Sequence, residues 1–355
     1  MAALTLASRA CLNAWLLCLL CTDISFFQAQ GPKSALALLT SPNSPHSVQI
    51  KAFEETVTAD ISLSLAAGEA APDLTDALER VRATATESLK AAPVQHLDAT
   101  TLYPPVVRGG SFPTVVPSSD GLWIQYDFDE LVFHEKSPYQ DVKIYHSRQF
   151  GNMLLLDDDP NLAESDLAYT QAILGSGRFN FEGKSVLVLG AGDGGVLHQI
   201  LKLNPANVIM IEIDEVVINA ARKHLRGICF DSMDNLTGPN YEIRVKDCLG
   251  EMDTLQAQGM QFDYIINDLT AVPVSTSLAG SDWEFLQIVL NRAMPLLAPH
   301  GKYLTQGGSA NMPAATRCYE DIVHAHPAGL DFTKESVCVP SFHEMWLFYT
   351  LWKTN

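Results

Sequence analysis

The stretch "VLVLGAGDGGVLHQIL" narrows the fold more than any other part of this chain. An apolar run meets a glycine-rich turn and passes into a second apolar run, the pattern of a buried strand, a tight turn and a helix. Gly190, Gly192 and Gly195 satisfy G-x-G-x-x-G, so the backbone can turn sharply and approach a ligand closely. Glu212 closes the next strand-like run, "NVIMIEI", at the distance along the chain where a carboxylate takes a ribose hydroxyl pair. A nucleoside ligand is implied. Asp193, inside the turn, sets that ligand's charge, because a pyrophosphate on this helix N-terminus would meet a like charge, a repulsion of several kcal/mol in a poorly solvated site. A nucleoside carrying an amine cation and a sulfonium is compatible, which points to S-adenosylmethionine or a close derivative. The competing reading of Asp193 is a helix-start residue that only complements the helix dipole.

From about residue 176 onward the runs "SVLVLG", "NVIMIEI", "YEIRVKD", "FDYIIND" and "GKYLTQG" alternate with helix-like segments, the pattern of a doubly wound parallel sheet. Ligands of such sheets bind at the carboxyl ends of the strands, where Glu212, Asp247 and Asp268 lie. Upstream, "LWIQYDF", "DELVFHE", "VKIYHSRQF" and "NMLLLD" alternate between turn residues and predict an antiparallel β-unit over residues 113–175. "LYPPVVRGGSFPTVVPSSDG" reads as a linker, "TVTADISLSL" as a strand, and "PDLTDALERVRATATESLKAA" as a helix with Pro72 near its start. These place a reduced α/β segment and linker at residues 51–112. Residues 1–50 carry no clear period, and "TSPNSPHS" has linker composition. The expected fold class is therefore α/β: a Rossmann-like parallel sheet of the class I methyltransferase type over 176–355, preceded by a small antiparallel β-domain and a reduced N-terminal α/β segment.

Composition limits the partners. Across 355 residues, 41 acidic side chains against 23 Lys and Arg give a net charge of −18. That field repels nucleic acid and attracts small polycations, although simple solubility is an equally ordinary source of it. Seven irregularly spaced cysteines do not make a disulfide framework in a chain of this length and suit reduced thiols in a cytoplasmic protein. Cys18 and Cys21 lack the strand and glycine turn of a redox motif, and His324 and His326 have no Cys or His pair at zinc spacing, so no metal site is expected. The apolar run "ACLNAWLLCLLC" is too short to span a bilayer, and reads as a signal-like segment, a misplaced start or a buried helix. No membrane partner is expected.

The segments "SPYQ", "QFGNMLLLD", "LAESDLAYTQAILG", "GAGDGG", "EIDEVVI", "VKDCLGEM" and "YIINDLTAVPVSTS" together resemble the spermidine/spermine synthase family of aminopropyltransferases, in order, from Pro104 to Lys353. "NDLTAVP", in place of an "SDP.GP"-type segment, leans toward the spermine-forming branch. The resemblance implies decarboxylated S-adenosylmethionine as a cosubstrate rather than a cofactor, and spermidine as acceptor. It implies that Asp193 meets the aminopropyl amine, Glu212 the ribose, Asp247 and Cys248 the adenine, and that Gln140 adds a cosubstrate contact. Asp268 is implied as the proton acceptor. Tyr169 and Glu344 are implied as acceptor contacts, with Asp166 a further anion near Tyr169. Phe342 stands where a tyrosine is usual, which removes one acceptor hydrogen bond worth about 0.5–1.5 kcal/mol. Trp346 reads as core packing. The family's N-terminal domain, like the fold of an adenosylmethionine decarboxylase, forms a dimer, and only residues 54–90 look like its end; a homodimer is implied.

The chemistry fits the residues. A polyamine amine resembles a lysine ammonium of pKa near 10.4, so a base must take its proton as it attacks the methylene beside the sulfonium. Asp268 would do so electrostatically, without a covalent enzyme intermediate. Competing readings are spermidine or thermospermine synthesis, methyl transfer from S-adenosylmethionine, and an inactive polyamine-binding homologue.

Overall fold

Val186, Leu187, Val188 and Leu189 are all fully buried, which requires cover on both faces of the strand they form. In the computed structural model, which describes residues 24–29, 34–41, 44–53, 56–62, 115–118, 121–269 and 281–354, that strand is β11 (Ser185–Gly190) at the centre of a seven-stranded sheet. Its order is β13 (Tyr241–Val245), β12 (Asn207–Glu212), β11, β14 (Phe262–Asp268), β15 (Leu297–Ser309), β17 (Glu344–Lys353), β16 (Leu330–Val339). β17 runs antiparallel to both its neighbours, and the five strands from β13 to β15 are mutually parallel. Those five are the runs anticipated from sequence. The β16–β17 hairpin is not among them, because its residues alternate weakly toward solvent along β16.

Side-chain alternation sends Val186, Val188, Val208, Met210 and Ile266 into one core, and Leu187, Leu189, Ile209, Ile211 and Ile265 into the other. The first core is closed by helices α2 (Gly195–Leu201) and α3 (Glu215–His224), through Val196, Leu197, Val217 and Ile218. The second is closed by α5 (Cys248–Ala257), α6 (Ser281–Leu296) and α7 (Pro313–His324), through Met252, Leu255, Val289 and Val323. α1 (Leu167–Ile173) and α4 (Arg226–Cys229) complete the helices in chain order among the described residues and pack in the first core. Right-handed crossovers explain the division: progress from β11 to β13 places helices on one face, and the return to β14 and β15 places them on the other. The reversal falls between β11 and β14, which opens a crevice at their carboxyl ends.

The antiparallel unit is a sheet of β7 (Phe128–Lys136), β8 (Asp141–Ser147), β9 (Gly151–Leu156) and β10 (Asp159–Ala163). Val142, Ile144, Leu154 and Leu156 join the first core of the large sheet, whereas Tyr145, Met153 and Leu155 form a separate core with Val116, Tyr126 and Phe128. Contacts make residues 111–355 one compact unit, so the β-unit and the large sheet are not separate bodies. β5 (Val115–Pro117) pairs with β6 (Trp123–Gln125), so the end of the stretch read as linker is a strand.

Residues 1–110 form a second unit. Within it β1 (Ile24–Ala29), β2 (Ser34–Ser41), β3 (Ser44–Phe53) and β4 (Thr56–Ser62) make an antiparallel sheet in sequential order. This corrects the reading of residues 1–50 as without period. The linker composition of "TSPNSPHS" belongs to the junction of β2 and β3, where Ser41 pairs with Ser44, and a boundary at residue 50 would cut β3. The strand expected from Thr56 is β4. The helix expected from Pro72, the apolar run at residues 10–21 and the segment "TAVPVSTS" lie outside the described residues. No helix among the described residues is long and apolar enough to cross a membrane.

Gly190 shows how tightly the crevice is built. It sits at φ +79°, and a Cβ there would lie 2.4 Å from the carbonyl oxygen of Asp268, its partner in the β11–β14 register. Gly190→Ala is expected to lose about 2–5 kcal/mol of stability, from positive φ and overpacking together. Urea unfolding of the variant against wild type measures it.

Candidate active site

A cleft of about 680 Å³ opens at the carboxyl ends of β11, β12 and β14, and nine of the ten residues singled out from sequence line it. They are Gln140, Tyr169, Asp193, Glu212, Asp247, Cys248, Asp268, Phe342 and Glu344. The tenth, Asp166, does not.

Three carboxylates crowd the middle of the cleft. Asp193 follows Gly192 in the loop after β11, and its Oδ1 accepts from the Gly195 amide at 2.7 Å. The helix-start reading of Asp193 is thus half of its role: one oxygen orders the loop, and the side chain still lines the cleft. Burial pushes its carboxyl above the ordinary range. Glu212 ends β12, and a Cβ on Gly192 would lie 2.9 Å from its Oε2, so only glycine leaves room for it. Burial, reinforced by the charges of Asp214 and Asp193, pushes Glu212 up to about 7 against the amide of Asp214, which donates to Oε1 at 2.9 Å. Asp268 ends β14 and accepts from the Tyr169 hydroxyl at 2.5 Å. Burial first, then the charge of Asp193, raises Asp268 to about 7, while the tyrosine hydrogen bond opposes the shift. Tyr169 itself is held well above its ordinary value by burial and by Asp268. Carboxylates so placed favour a cationic ligand, whose charge would offset the burial that raises all three and the neighbouring charge that adds to it at Glu212 and Asp268.

At one end of the cleft, Asp247 caps α5 by accepting from the Leu249 amide at 3.1 Å. Cys248 is buried, and burial raises its thiol to about 11, so it lines the cleft as a neutral group at neutral pH. Gln140 reaches in from the turn between β7 and β8 and donates through Nε2 to Asp214 at 2.9 Å. Asp214 is a residue that sequence reasoning misses; the signal available is its place immediately before the amphipathic run of α3, where it caps the helix through the Val216 amide.

Aromatic rings wall the opposite end. Phe342 meets Tyr169 edge-on at 6.0 Å between centroids and Trp346 at 4.8 Å. Trp346, read from sequence as core packing, does pack against the first core and also lines the cleft, and its indole N–H donates to Gln306 at 3.0 Å. Glu344 is buried at the start of β17, paired in register with Val339 across the hairpin.

Asp166 is corrected in role. It is 1% exposed, and its oxygens accept from the amides of Ala163 at 2.8 Å and Ser341 at 3.0 Å and from the hydroxyls of Ser165 at 3.2 Å and Ser341 at 2.5 Å. Four donors saturate a carboxylate. The Ser341 carbonyl accepts in turn from Tyr126 at 2.7 Å, so Asp166 anchors the short 3₁₀ turn (Pro340–Phe342) that carries Phe342, and offers no oxygen to a ligand.

Raised carboxyls give the free protein a stability signature. Between about pH 4 and 7 the folded chain retains protons on Asp268 and Glu212 that the unfolded chain, with ordinary values near 3.9 and 4.3, has released. Their contribution therefore falls as pH rises through that window and is level above it. Asp268→Asn should be stabilised relative to wild type by more at pH 8 than at pH 5; urea midpoints at both pH values check the difference, and equal differences would refute it.

Comparison with known proteins follows the same outline. The model of the spermine/spermidine synthase domain matches residues 166–355, and that of the spermidine synthase tetramerisation domain matches residues 114–164. A polyamine aminopropyltransferase of Aeropyrum pernix is 28% identical over 229 residues, 62% of this chain and 68% of that protein. The thermospermine synthase ACAULIS5 of Arabidopsis thaliana is 26% identical over 233 residues, 64% of this chain and 66% of that one. A spermidine synthase of Dictyostelium discoideum is 33% identical over 168 residues, 46% of this chain and 56% of that one. The chain thus spans between about half and two thirds of the length of these curated relatives. Among solved structures, spermidine synthase from Thermotoga maritima superposes with a TM-score of 0.54 at 19% identity, covering 72% of this chain and 83% of that one. A spermidine synthase in complex with the transition-state analogue AdoDATO gives 0.56 at 20% identity, covering 72% and 84%. At such identity the likeness is one of fold.

Proposed function

Since this chain belongs to the spermine/spermidine synthase family, we propose that its cleft transfers an aminopropyl group from decarboxylated S-adenosylmethionine to a polyamine amine. The observation that carries the reading is the Tyr169–Asp268 pair at the end of β14, set beside Asp193 in a cleft rich in carboxylates. In this reading Glu212 holds the ribose hydroxyls, Asp247 and Cys248 border the adenine, and Asp193 meets the ammonium of the aminopropyl group. The acceptor amine gives its proton to Asp268 and its lone pair to the methylene beside sulfur. The carbon–sulfur bond breaks with its electrons going to sulfur, and neutral 5′-methylthioadenosine leaves. Tyr169 holds one oxygen of Asp268, which leaves the other for the amine. The group transferred is held in line by the pocket rather than by a covalent intermediate.

Within that class, we propose spermidine as acceptor and spermine as product. What supports it is the wall formed by Tyr169, Phe342 and Trp346, an apolar surface with Asp268 at one side and Glu344 at the other, suited to methylene chains between cationic nitrogens. Purified protein offered decarboxylated S-adenosylmethionine should make spermine and equimolar 5′-methylthioadenosine from spermidine. Spermidine formed from putrescine would move the acceptor assignment without changing the chemistry, and methylation with intact S-adenosylmethionine would overturn the class. Asp268→Asn should lower turnover by about 10²–10⁴-fold, the usual worth of a positioned base. Near-normal turnover in that variant would remove Asp268 from the role.

We further propose that residues 114–164 mediate self-association. Their match to a tetramerisation domain supports this, as do Trp123, 73% exposed, and Leu122, 64% exposed. Sedimentation velocity at micromolar concentration should give a dimer or larger; monomer alone would contradict it.

A further inference from the structure

Asp214 is fully buried, acidic and adjacent to the cleft without lining it. Its Oδ1 accepts from the Val216 amide at 3.0 Å. Its Oδ2 accepts from Ser137 Oγ at 2.7 Å and from Gln140 Nε2 at 2.9 Å. Ser137 Oγ also lies 3.1 Å from the Gln140 carbonyl, but a hydroxyl has one proton, and the shorter contact to a carboxylate takes it. The same oxygen accepts from the amides of Tyr139 at 3.1 Å and Gln140 at 3.0 Å, closing the 137–140 turn. The turn between β7 and β8 is therefore fastened to the start of α3 by one carboxylate. That carboxylate is linked in turn to Glu212 through the Asp214 amide.

The chemistry of the contact fixes the Gln140 amide. A carboxylate only accepts, so the Gln140 atom facing Asp214 is nitrogen, and the carbonyl oxygen Oε1 is turned away from it. Gln140 lines the cleft, and no described residue donates to Oε1. We propose that Asp214 is a positioning residue that holds Gln140 as a hydrogen-bond acceptor in the cleft, for a hydroxyl or ammonium donor on the nucleoside cosubstrate. This rests on the nucleoside reading of the site and adds to it the direction of one hydrogen bond and the buried group that sets it.

Asp214→Asn tests the direction. In that variant the side-chain oxygen still caps α3, while the atom facing Gln140 becomes a donor. The glutamine amide must then turn over and present N–H to the ligand. Adding Gln140→Glu supplies two acceptor oxygens at position 140, one for the N–H now presented from position 214 and one for the ligand, and conserves net charge. Calorimetry with 5′-methylthioadenosine and with decarboxylated S-adenosylmethionine should show D214N binding about tenfold more weakly than wild type, as expected for a hydrogen bond set donor against donor. The D214N/Q140E protein should recover to within about threefold of wild type, a rescue that a merely structural role of Asp214 would not give. Loss with both nucleosides identifies a hydroxyl as the donor, and loss with the decarboxylated compound alone identifies the ammonium. Wild-type affinity in D214N, or a double variant no tighter than D214N, would overturn the proposal. Spermine formation by the wild type, run alongside, reports separately on the transfer reading: a protein that binds the nucleosides without turnover would remove that activity while the binding series still judges Asp214.

Discussion

Negative charge held at the carboxyl edge of a buried sheet is the constraint around which the cleft is organised. Glu212 and Asp268 end β12 and β14, the two strands that flank β11, Asp193 lies in the loop that follows β11, and burial raises all three above the ordinary carboxylate range. A carboxylate in such surroundings takes up a proton or waits for a cation. A ligand with a sulfonium and ammonium groups supplies that charge at the points where it is needed, which is why the proposed aminopropyl transfer suits the site better than chemistry on an anionic nucleotide. In that proposed reaction the same surroundings would suit Asp268 to take the proton of an amine brought to it.

Two other buried acids show that position alone does not make a ligand group. Asp166 and Asp214 are at least as inaccessible as the cleft carboxylates, at 1% and 0% exposure. Each is saturated or engaged by donors from separate elements: Asp166 ties α1 to the turn carrying Phe342, and Asp214 ties the β7–β8 turn to α3. Hydrogen bonds from these donors occupy their oxygens locally. Acids of the first kind face the cleft, and acids of the second kind hold in place other side chains that line it.

Much of this is legible from residue order. The alternation of "SVLVLG" with helix-like segments yields the parallel strands, since a strand covered on both faces must be apolar throughout, and Gly190, Gly192 and Glu212 yield the part of the cleft at the ends of β11 and β12. The first fifty residues mislead because strands that alternate imperfectly around Pro and Ser look like linker. Asp166 misleads because a carboxylate three residues from Tyr169 in sequence looks like a neighbour in the site. α1 begins directly after Asp166, and the side chain turns instead to Ser341, 175 positions away. Trp346 reads as core and does pack against it, but its second place in the cleft wall depends on a contact with Gln306 between two strands that periodicity cannot pair.

The sequence alone determined the class of fold, the glycine turn and the identity of the strand-end carboxylates, because these depend on local periodicity and on steric requirements that a single segment satisfies. Tertiary structure alone decided which acids are free to meet a ligand and which are spent on donors. It also decided how far each carboxyl is raised and which way the Gln140 amide faces. Those properties arise from burial and from hydrogen bonds between residues such as Asp214 and Ser137, 77 positions apart, and no reading along the chain contains the distances on which they depend.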